Sequence, residues 1–272
     1  MSRPLWFVNL LKHYFPYRKK IAALSQNIIG KKLMDLFLFN GDSMFYLPKD
    51  KIVIEEAITP QENMVLPSEI VHHFVDQANY LWIMNNCICR QGDDCQDYPQ
   101  DLGCLFMGEA VLQINPKLGK LVDKEQAHQH IQRAQDEGLV HLIGRNKLDS
   151  IWMGVGPGTK LLTVCNCCPC CCLFKILPDL HPEISDSVRR MPGVEVWVDP
   201  ELCIGCGLCA REEVCFVEAI TMENNQSVIG DGCRGCGRCV EICKKDAIKI
   251  KITDASFMLT SIDKINRKVD VS

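Results

Sequence analysis

Apolar and polar positions alternate unevenly along the chain, and the pattern separates short strands from two amphipathic helices. Residues 1–47 switch between apolar, aromatic-rich patches such as PLWFVNLL (4–11) and basic ones, Arg18-Lys19-Lys20 and Lys31-Lys32. A membrane-surface helix has this pattern, and so does a packing helix followed by a strand, LFLFN (36–40), that turns at Asn40-Gly41; the packing helix is the reading adopted. KIVIEEAI (51–58) reads as a strand closed off by Pro60 and Pro67. Ser68 then caps a helix with Glu69 in its first turn, and Ile70, Val71, Phe74, Val75, Ala78, Leu81 and Trp82 recur at helical spacing on one face. His72 falls off that face and His73 at its edge, so both are expected in solvent.

Further on, Asp123 and Gln126 form a capping box for a helix that runs through Glu137 and stops at Gly138. Its apolar stripe is Ala127, Ile131 and Ala134, and His128 and His130 do not stack on one face as a helical metal pair. LVHLI (139–143) and KLLTV (160–164) read as strands, and GVGPGTK (154–160) between them as a turn, since it lacks the spacing of a phosphate loop and no helix follows it. Pro178, Pro182, Pro192 and Gly193 mark the clearest boundary, after which VEVWV (194–198) and AIKIKI (247–252) are short strands. The expected division is an aromatic and basic segment 1–60, a cysteine-rich α+β unit 61–177, a linker 178–193, a second unit 194–253 and a tail 254–272 without a motif.

At 272 residues and a formal net charge of −4, the chain can bury a sizeable core and has no electrostatic footprint for nucleic acid. No stretch reaches the roughly 18 apolar residues of a membrane span, and no small-residue cleavage site follows the first apolar run. The eighteen cysteines are clustered, which points to metal chemistry in a reducing, cytoplasmic and anaerobic setting rather than to secreted disulfides.

The densest chemistry lies at 203–243. CIGCGLC (203–209) is followed by Cys215, and CRGCGRC (233–239) by Cys243, so two C-x2-C-x2-C triplets begin 30 residues apart, each with one more cysteine behind it. Triplets with a remote fourth thiolate are the ligand pattern of cubane iron–sulfur clusters, whereas zinc takes cysteines in pairs. This stretch resembles the bacterial-type ferredoxins that hold two [4Fe-4S] clusters, over roughly residues 194–252. The resemblance implies a βαββαβ-like domain in which Cys203, Cys206, Cys209 and Cys243 hold one cluster and Cys233, Cys236, Cys239 and Cys215 the other. Gly205, Gly207, Gly235 and Gly237 suit a backbone that wraps tightly and aims N–H groups at sulfur. Two features depart from the family pattern. Five residues separate Cys209 from Cys215, which predicts a bulged turn before Cys215, and Phe216 and Lys244 stand where proline is usual.

Ten further cysteines fall in two groups: Cys87, Cys89, Cys95 and Cys104, then Cys165, Cys167, Cys168, Cys170, Cys171 and Cys172. They are compatible with an additional iron–sulfur cluster, with a zinc site, or with a thiol–disulfide relay. Adjacent cysteines cannot all reach one centre, so some serve a second centre or pack. The whole 85–172 pattern, with its C-x-C-R segment at 87–90 upstream of a C-N-C-C-x-C-C segment at 165–171, is similar to a group of ferredoxin-containing proteins of anaerobes.

The expectation is an α+β protein that passes single electrons through two [4Fe-4S] clusters and a further Cys-ligated centre, as a carrier or as a subunit of an anaerobic oxidoreductase with redox partner proteins. No hydride-cofactor fingerprint or nucleophile–base pair is legible, so a stand-alone enzyme is the weaker form. A redox-sensing regulator, with 123–164 as a winged helix, is the rival; a scaffold with structural clusters is the third reading.

Overall fold

A computed structural model describes residues 2–50, 66–253 and 256–272. The strand expected at 51–58 lies outside the described residues. Among those described, the architecture is mixed α and β, built round one sheet of order β4-β2-β3-β6-β5-β1-β7. Its strands are β1 (Ser43–Tyr46), β2 (Leu81–Met84), β3 (Leu105–Met107), β4 (Gly119–Val122), β5 (Val140–Arg145), β6 (Leu162–Cys167) and β7 (Val188–Arg190). Every pairing is antiparallel except β1 with β7.

Both faces of this sheet are covered, which is why its strands read as apolar runs rather than as alternating ones. Phe45, Leu81, Ile83, Leu105, Met107, Ile143 and Val164 face one core, which helices α4 (Ser68–Gln77) and α6 (Lys124–Asp136) cover with Ile70, Phe74, Ala127 and Ile131. Their neighbours along the strands face the other side. Met44, Tyr46, Val140, Leu142 and Cys167 meet Phe174, Ile176 and Phe216 there. Trp82, Met84 and Phe106 meet Trp152, Met153 and Val8. This second layer contains α1 (Leu5–Tyr14), α2 (Arg18–Ala23), α3 (Ile28–Leu38), α5 (Ile88–Gly92), α7 (Lys147–Met153) and α8 (Pro182–Ser185).

Several expectations change. LFLFN at 36–40 is the end of α3; Asn40 and Gly41, both at positive φ, end the helix, and the strand comes after them at 43–46. The α4 stripe stops at Gln77, and Leu81–Met84 is a strand with all four side chains buried, so Leu81 and Trp82 belong to opposite faces of a sheet. Ser68 does not cap α4 with its own side chain; its N–H is taken by the Asp50 carboxylate at 2.9 Å, which also accepts from Gln135 at 2.9 Å and so ties α4 to α6. The capping box at Asp123 and Gln126 is present as expected. In 123–164 a helix, α7, separates the two strands, and both strands pair inside the large sheet, so this segment has no free winged-helix hairpin. Residues 154–160 form turns, with Gly154 in the left-handed region and a 3-10 turn at 158–160.

The stretch 178–193 is not a bare linker: α8 and β7 lie within it, and β7 runs alongside β1. Beyond it come β8 (Val194–Val198), the hairpin β9 (Ile220–Glu223) and β10 (Gln226–Ile229), α9 (Arg238–Ile242) and β11 (Ile248–Ile252), with β8 paired antiparallel to β11. The supposed tail carries a helix, α10 (Phe257–Asn266). Phe257, Ile262, Ile265, Val269 and Val271 are buried with Ile70 and Phe74, as are Val194 and Ile250 of the β8–β11 pair. No helix among the described residues is long and apolar enough to cross a membrane.

Candidate metal centres

The two triplet regions repeat each other in backbone geometry. Gly205 and Gly235, two residues after Cys203 and Cys233, both have φ near the left-handed region, at 68° and 67°. A Cβ at Gly205 would lie 2.2 Å from the Asn225 carbonyl oxygen, so only glycine fits there. The N–H of Gly235 donates to Cys233 Sγ at 3.4 Å, and the Ser227 and Gly205 N–H groups hold the Cys203 thiol below its ordinary pKa. At the remote cysteines the match continues. Ala219 N–H donates to Cys215 Sγ at 3.2 Å and Ala247 N–H to Cys243 Sγ at 3.3 Å, each after a residue at positive φ, Glu218 and Asp246. The longer spacer before Cys215 is taken up locally: a 3-10 turn (Leu208–Ala210) and a further turn stand where the second half has the helix α9.

The fold brings thiols of both triplet regions round one cavity of about 270 Å³. Cys203, Cys206, Cys209 and Cys243 line it, with Ile204, Leu208, Ser227, Lys244 and Ile248. The four ligand positions and their N–H donors fit a cubane cluster, whose sulfurs need donors around them. Cys215, Cys233, Cys236 and Cys239 form a second neighbourhood. Burial pushes Cys215 up to about 11, with Cys236 and Cys233 adding to the rise; burial also raises Cys239, followed by Cys236, Cys233, Cys215 and Cys209. The two groups therefore adjoin through Cys239 and Cys209, which share an apolar cluster with Ile220 and Ile248.

The ten upstream cysteines divide. Cys95, Cys168, Cys170 and Cys171 present four sulfurs within 4.8 Å of one another, the one such group found among the described residues. A hydrogen bond from Cys170 and the nearby Arg90 lower the Cys168 thiol to about 5, while that same hydrogen bond, then burial, raises Cys170 and burial raises Cys171. Cys87, Cys89, Cys104, Cys165, Cys167 and Cys172 lie outside this group. β6 runs three residues further than the sequence pattern predicts, so Cys165 and Cys167 are strand residues on one face and Asn166 points to the other.

Sequence reading overlooked Arg90, which is fully buried. Its guanidinium donates to the carbonyls of Asn166, at 2.9 Å, and Leu102. Burial opposes its charge, yet Cys87, Cys168 and Cys104 outweigh that cost and keep it protonated. A buried cation needs a partner anion, and here the partners are sulfurs from both sides of the upstream set. The C-x-C-R spelling at 87–90 was the signal. Two further links were not legible. Arg238, between Cys236 and Cys239, reaches the Cys167 carbonyl. Tyr46, also fully buried, places its hydroxyl 3.9 Å from Cys172 Sγ and its ring edge-on to Phe216 at 5.2 Å. His72, expected in solvent, and His128, not expected to form a helical metal pair with His130, meet across α4 and α6 with ring nitrogens 2.6 Å apart, and Asp76 holds His128 at 2.9 Å.

A family model described as a 4Fe-4S dicluster domain matches residues 195–244, so this part of the chain is such a domain. The ferredoxin-type protein NapG of Escherichia coli (strain K12) and that of Shigella flexneri are each 29% identical over 134 residues, covering 41% of this chain and 58% of the relative. The chain thus spans little more than half the length of the curated relatives it matches. No solved structure matches.

Proposed function

We propose that the chain is an electron-transfer protein, a carrier or a subunit of a larger oxidoreductase, with Cys203, Cys206, Cys209 and Cys243 holding one [4Fe-4S] cluster and Cys215, Cys233, Cys236 and Cys239 a second. The observation that carries this reading is the cavity in which three cysteines of one triplet meet Cys243, which follows the other. Such clusters supply reversible one-electron chemistry when bound. The chain's own part is to hold the sulfurs, surround them with N–H donors and limit their access to water, with one edge the most open. That edge is at Cys206, which is exposed, beside Ile204, 64% exposed. We take it as the face a redox partner approaches. Cys95, Cys168, Cys170 and Cys171 hold a third centre in this reading, supported by their closeness.

The domain division follows the same reading, with a two-cluster unit of 194–253 set on a cysteine-rich unit. Arg238 joins the two through the Cys167 carbonyl, and the Lys49–Glu241 pair at 2.6 Å and the Lys19–Glu212 pair at 2.9 Å tie the two-cluster unit to the segment 1–60.

The test is anaerobic counting of iron, acid-labile sulfide and zinc on the full chain, with spin-resonance spectra of the reduced protein. About eight irons in the C-terminal region, with one signal lost in Cys206→Ser and another in Cys236→Ser, support the assignment. A chain that takes up only zinc, or iron that cannot be reversibly reduced, would sink it.

A further inference from the structure

Helices α1, α2 and α3, with the short 3-10 turns between them, are apolar on two sides. The inner side meets the sheet: Val8 and Leu11 pack with Trp152 and Met153, and Ala22 and Leu38 with Met44 and Tyr46. The outer side has no cover among the described residues. On α1, Trp6, Leu10 and Tyr14 stand four residues apart and all are exposed, Trp6 at 66%. Tyr17, Ile21 and Leu24 carry the stripe over α2. Ile28, Ile29, Leu33 and Phe37 carry it over α3, with Ile28 and Ile29 at 76% and 81% exposure. Because the three helices lie against the same side of the sheet, their outer stripes look the same way and make one face. Eleven of the twenty-one large apolar side chains exposed among the described residues fall between 6 and 37, so the excess is local to this face. A helix that is apolar all round belongs in a core or in lipid.

The charge of this segment has one sign. Residues 1–34 hold seven lysines and arginines and no aspartate or glutamate, in a chain whose formal net charge is −4. The cations divide by side. Arg18 pairs with Asp93 at 2.5 Å, Lys19 with Glu212 at 2.9 Å and Lys31 with Glu183 at 2.5 Å, and Lys12 donates to Gln91 at 2.5 Å. These four anchor the helices to the elements beside them. Lys20 and Lys32 are exposed and make no ion pair with any described residue. Both stand within the outer stripe: Lys20 is three residues from Tyr17 and four from Leu24, and Lys32 is four from Ile28 and three from Ile29. Asp35, the first acid of the chain, is half-buried on the flank of α3.

We propose that the outer face of α1, α2 and α3 rests on an anionic membrane surface, with the helices lying in the plane of the headgroups. Helices of 10, 6 and 11 residues are too short to cross a bilayer, but side by side they can lay their apolar stripes at headgroup depth. Trp6, Tyr14 and Tyr17 have the amphipathic rings that settle at that depth, and Lys20 and Lys32 then meet lipid phosphates. A second copy of the chain would set the same unpaired lysines against one another, which makes it the poorer match. A surface of acidic lipid supplies apolar depth and negative charge together. The face owes nothing to the cysteines, so it goes beyond the electron-transfer reading and does not depend on it. The Lys19–Glu212 pair ties it to the two-cluster unit, which docking holds beside the membrane.

The experiment floats the full chain, reconstituted without oxygen, with vesicles of phosphatidylcholine alone and of phosphatidylcholine and phosphatidylglycerol in equal parts. Binding to the mixed vesicles that salt loosens, with little on phosphatidylcholine alone, supports the proposal. Lys20→Glu with Lys32→Glu should weaken binding to the mixed vesicles by about thirtyfold, an effect that fades in high salt. Ile28→Ser with Ile29→Ser should weaken it at every salt concentration. All four side chains are exposed, so both variants should keep the unfolding midpoint of the parent. Should either misfold, the parent chain decides: lipids brominated in their acyl chains should quench Trp6, and Trp6→Phe should remove that quenching. The proposal is overturned by a parent that fails to bind mixed vesicles at low salt, by equal binding to both kinds of vesicle, by folded variants that bind like the parent, or by no quenching of Trp6. A dimer that Ile28→Ser with Ile29→Ser dissociates, in a protein that ignores vesicles, makes a second copy the occupant and also overturns it. Failure of the electron-transfer reading looks different, because the spin-resonance signals are then missing whatever the vesicles show.

Discussion

Arg90 and His141 show how closely the upstream cysteines depend on single buried groups. Arg90→Met keeps the chain's bulk but leaves the carbonyls of Asn166 and Leu102 without their donor and the neighbouring sulfurs without a cation. We expect a loss of about 3 kcal/mol in unfolding free energy and a fall in upstream metal content, with the 195–244 signals retained. An unchanged denaturation midpoint would show the charge to be dispensable. His141 gives the pH dependence. It is buried on β5, pairs through Nδ1 with Asn166 Oδ1 at 2.9 Å, and burial lowers its pKa to about 4. An unfolded histidine titrates near 6.5, so below that pH the unfolded chain binds the proton that the folded chain refuses. Stability then falls as pH drops from about 6.5 to about 4, by up to roughly 3 kcal/mol, and is flat with respect to this group outside that window. Denaturant midpoints at pH 7 and pH 5 should converge in His141→Gln.

At the scale of elements, the sequence pattern succeeds where a period repeats without interruption. The α6 box, the β8 and β11 strands and the paired cysteine triplets were all legible, because each rests on local spacing. The central sheet was harder. Strands buried on both faces lose their alternation, so Leu81–Met84 looked like one more turn of the helix before it, and β3 and β4 left no signal at all. The upstream four-thiol group was illegible for another reason: Cys95 follows α5 and Cys168, Cys170 and Cys171 follow β6, so the fold brings them together, which no spacing encodes. The C-terminal helix is the plainest miss. Phe257, Ser261, Ile265 and Val269 repeat every four residues, yet polar neighbours dilute the stripe. Phe257 is 2% exposed, so Phe257→Ala should cost about 3–5 kcal/mol. A chemical-denaturation curve that does not shift would show α10 to be peripheral after all.

At the scale of the whole molecule, the two-cluster unit is not an appendage. Val194 and Ile250 share a core with α4 and α10, and β7, which leads into it, belongs to the large sheet. The large sheet and the last third of the chain therefore share one core. The accessibility of the sulfurs is uneven. Cys206 is exposed, Cys209 and Cys239 are buried, and Cys167 and Cys172 are buried with Phe174 and Ile176. Dioxygen reaches a protein from outside, so damage in air has a direction. The colour of the protein should fade in stages, with the signal assigned to Cys203, Cys206, Cys209 and Cys243 disappearing first and the upstream absorbance last. Spectra taken at intervals after opening an anaerobic sample to air would record that order. Simultaneous loss of every signal would mean that the buried centres breathe as freely as the outer one. If the stages are seen, the outermost cluster works as a fuse, sacrificed before the interior is touched.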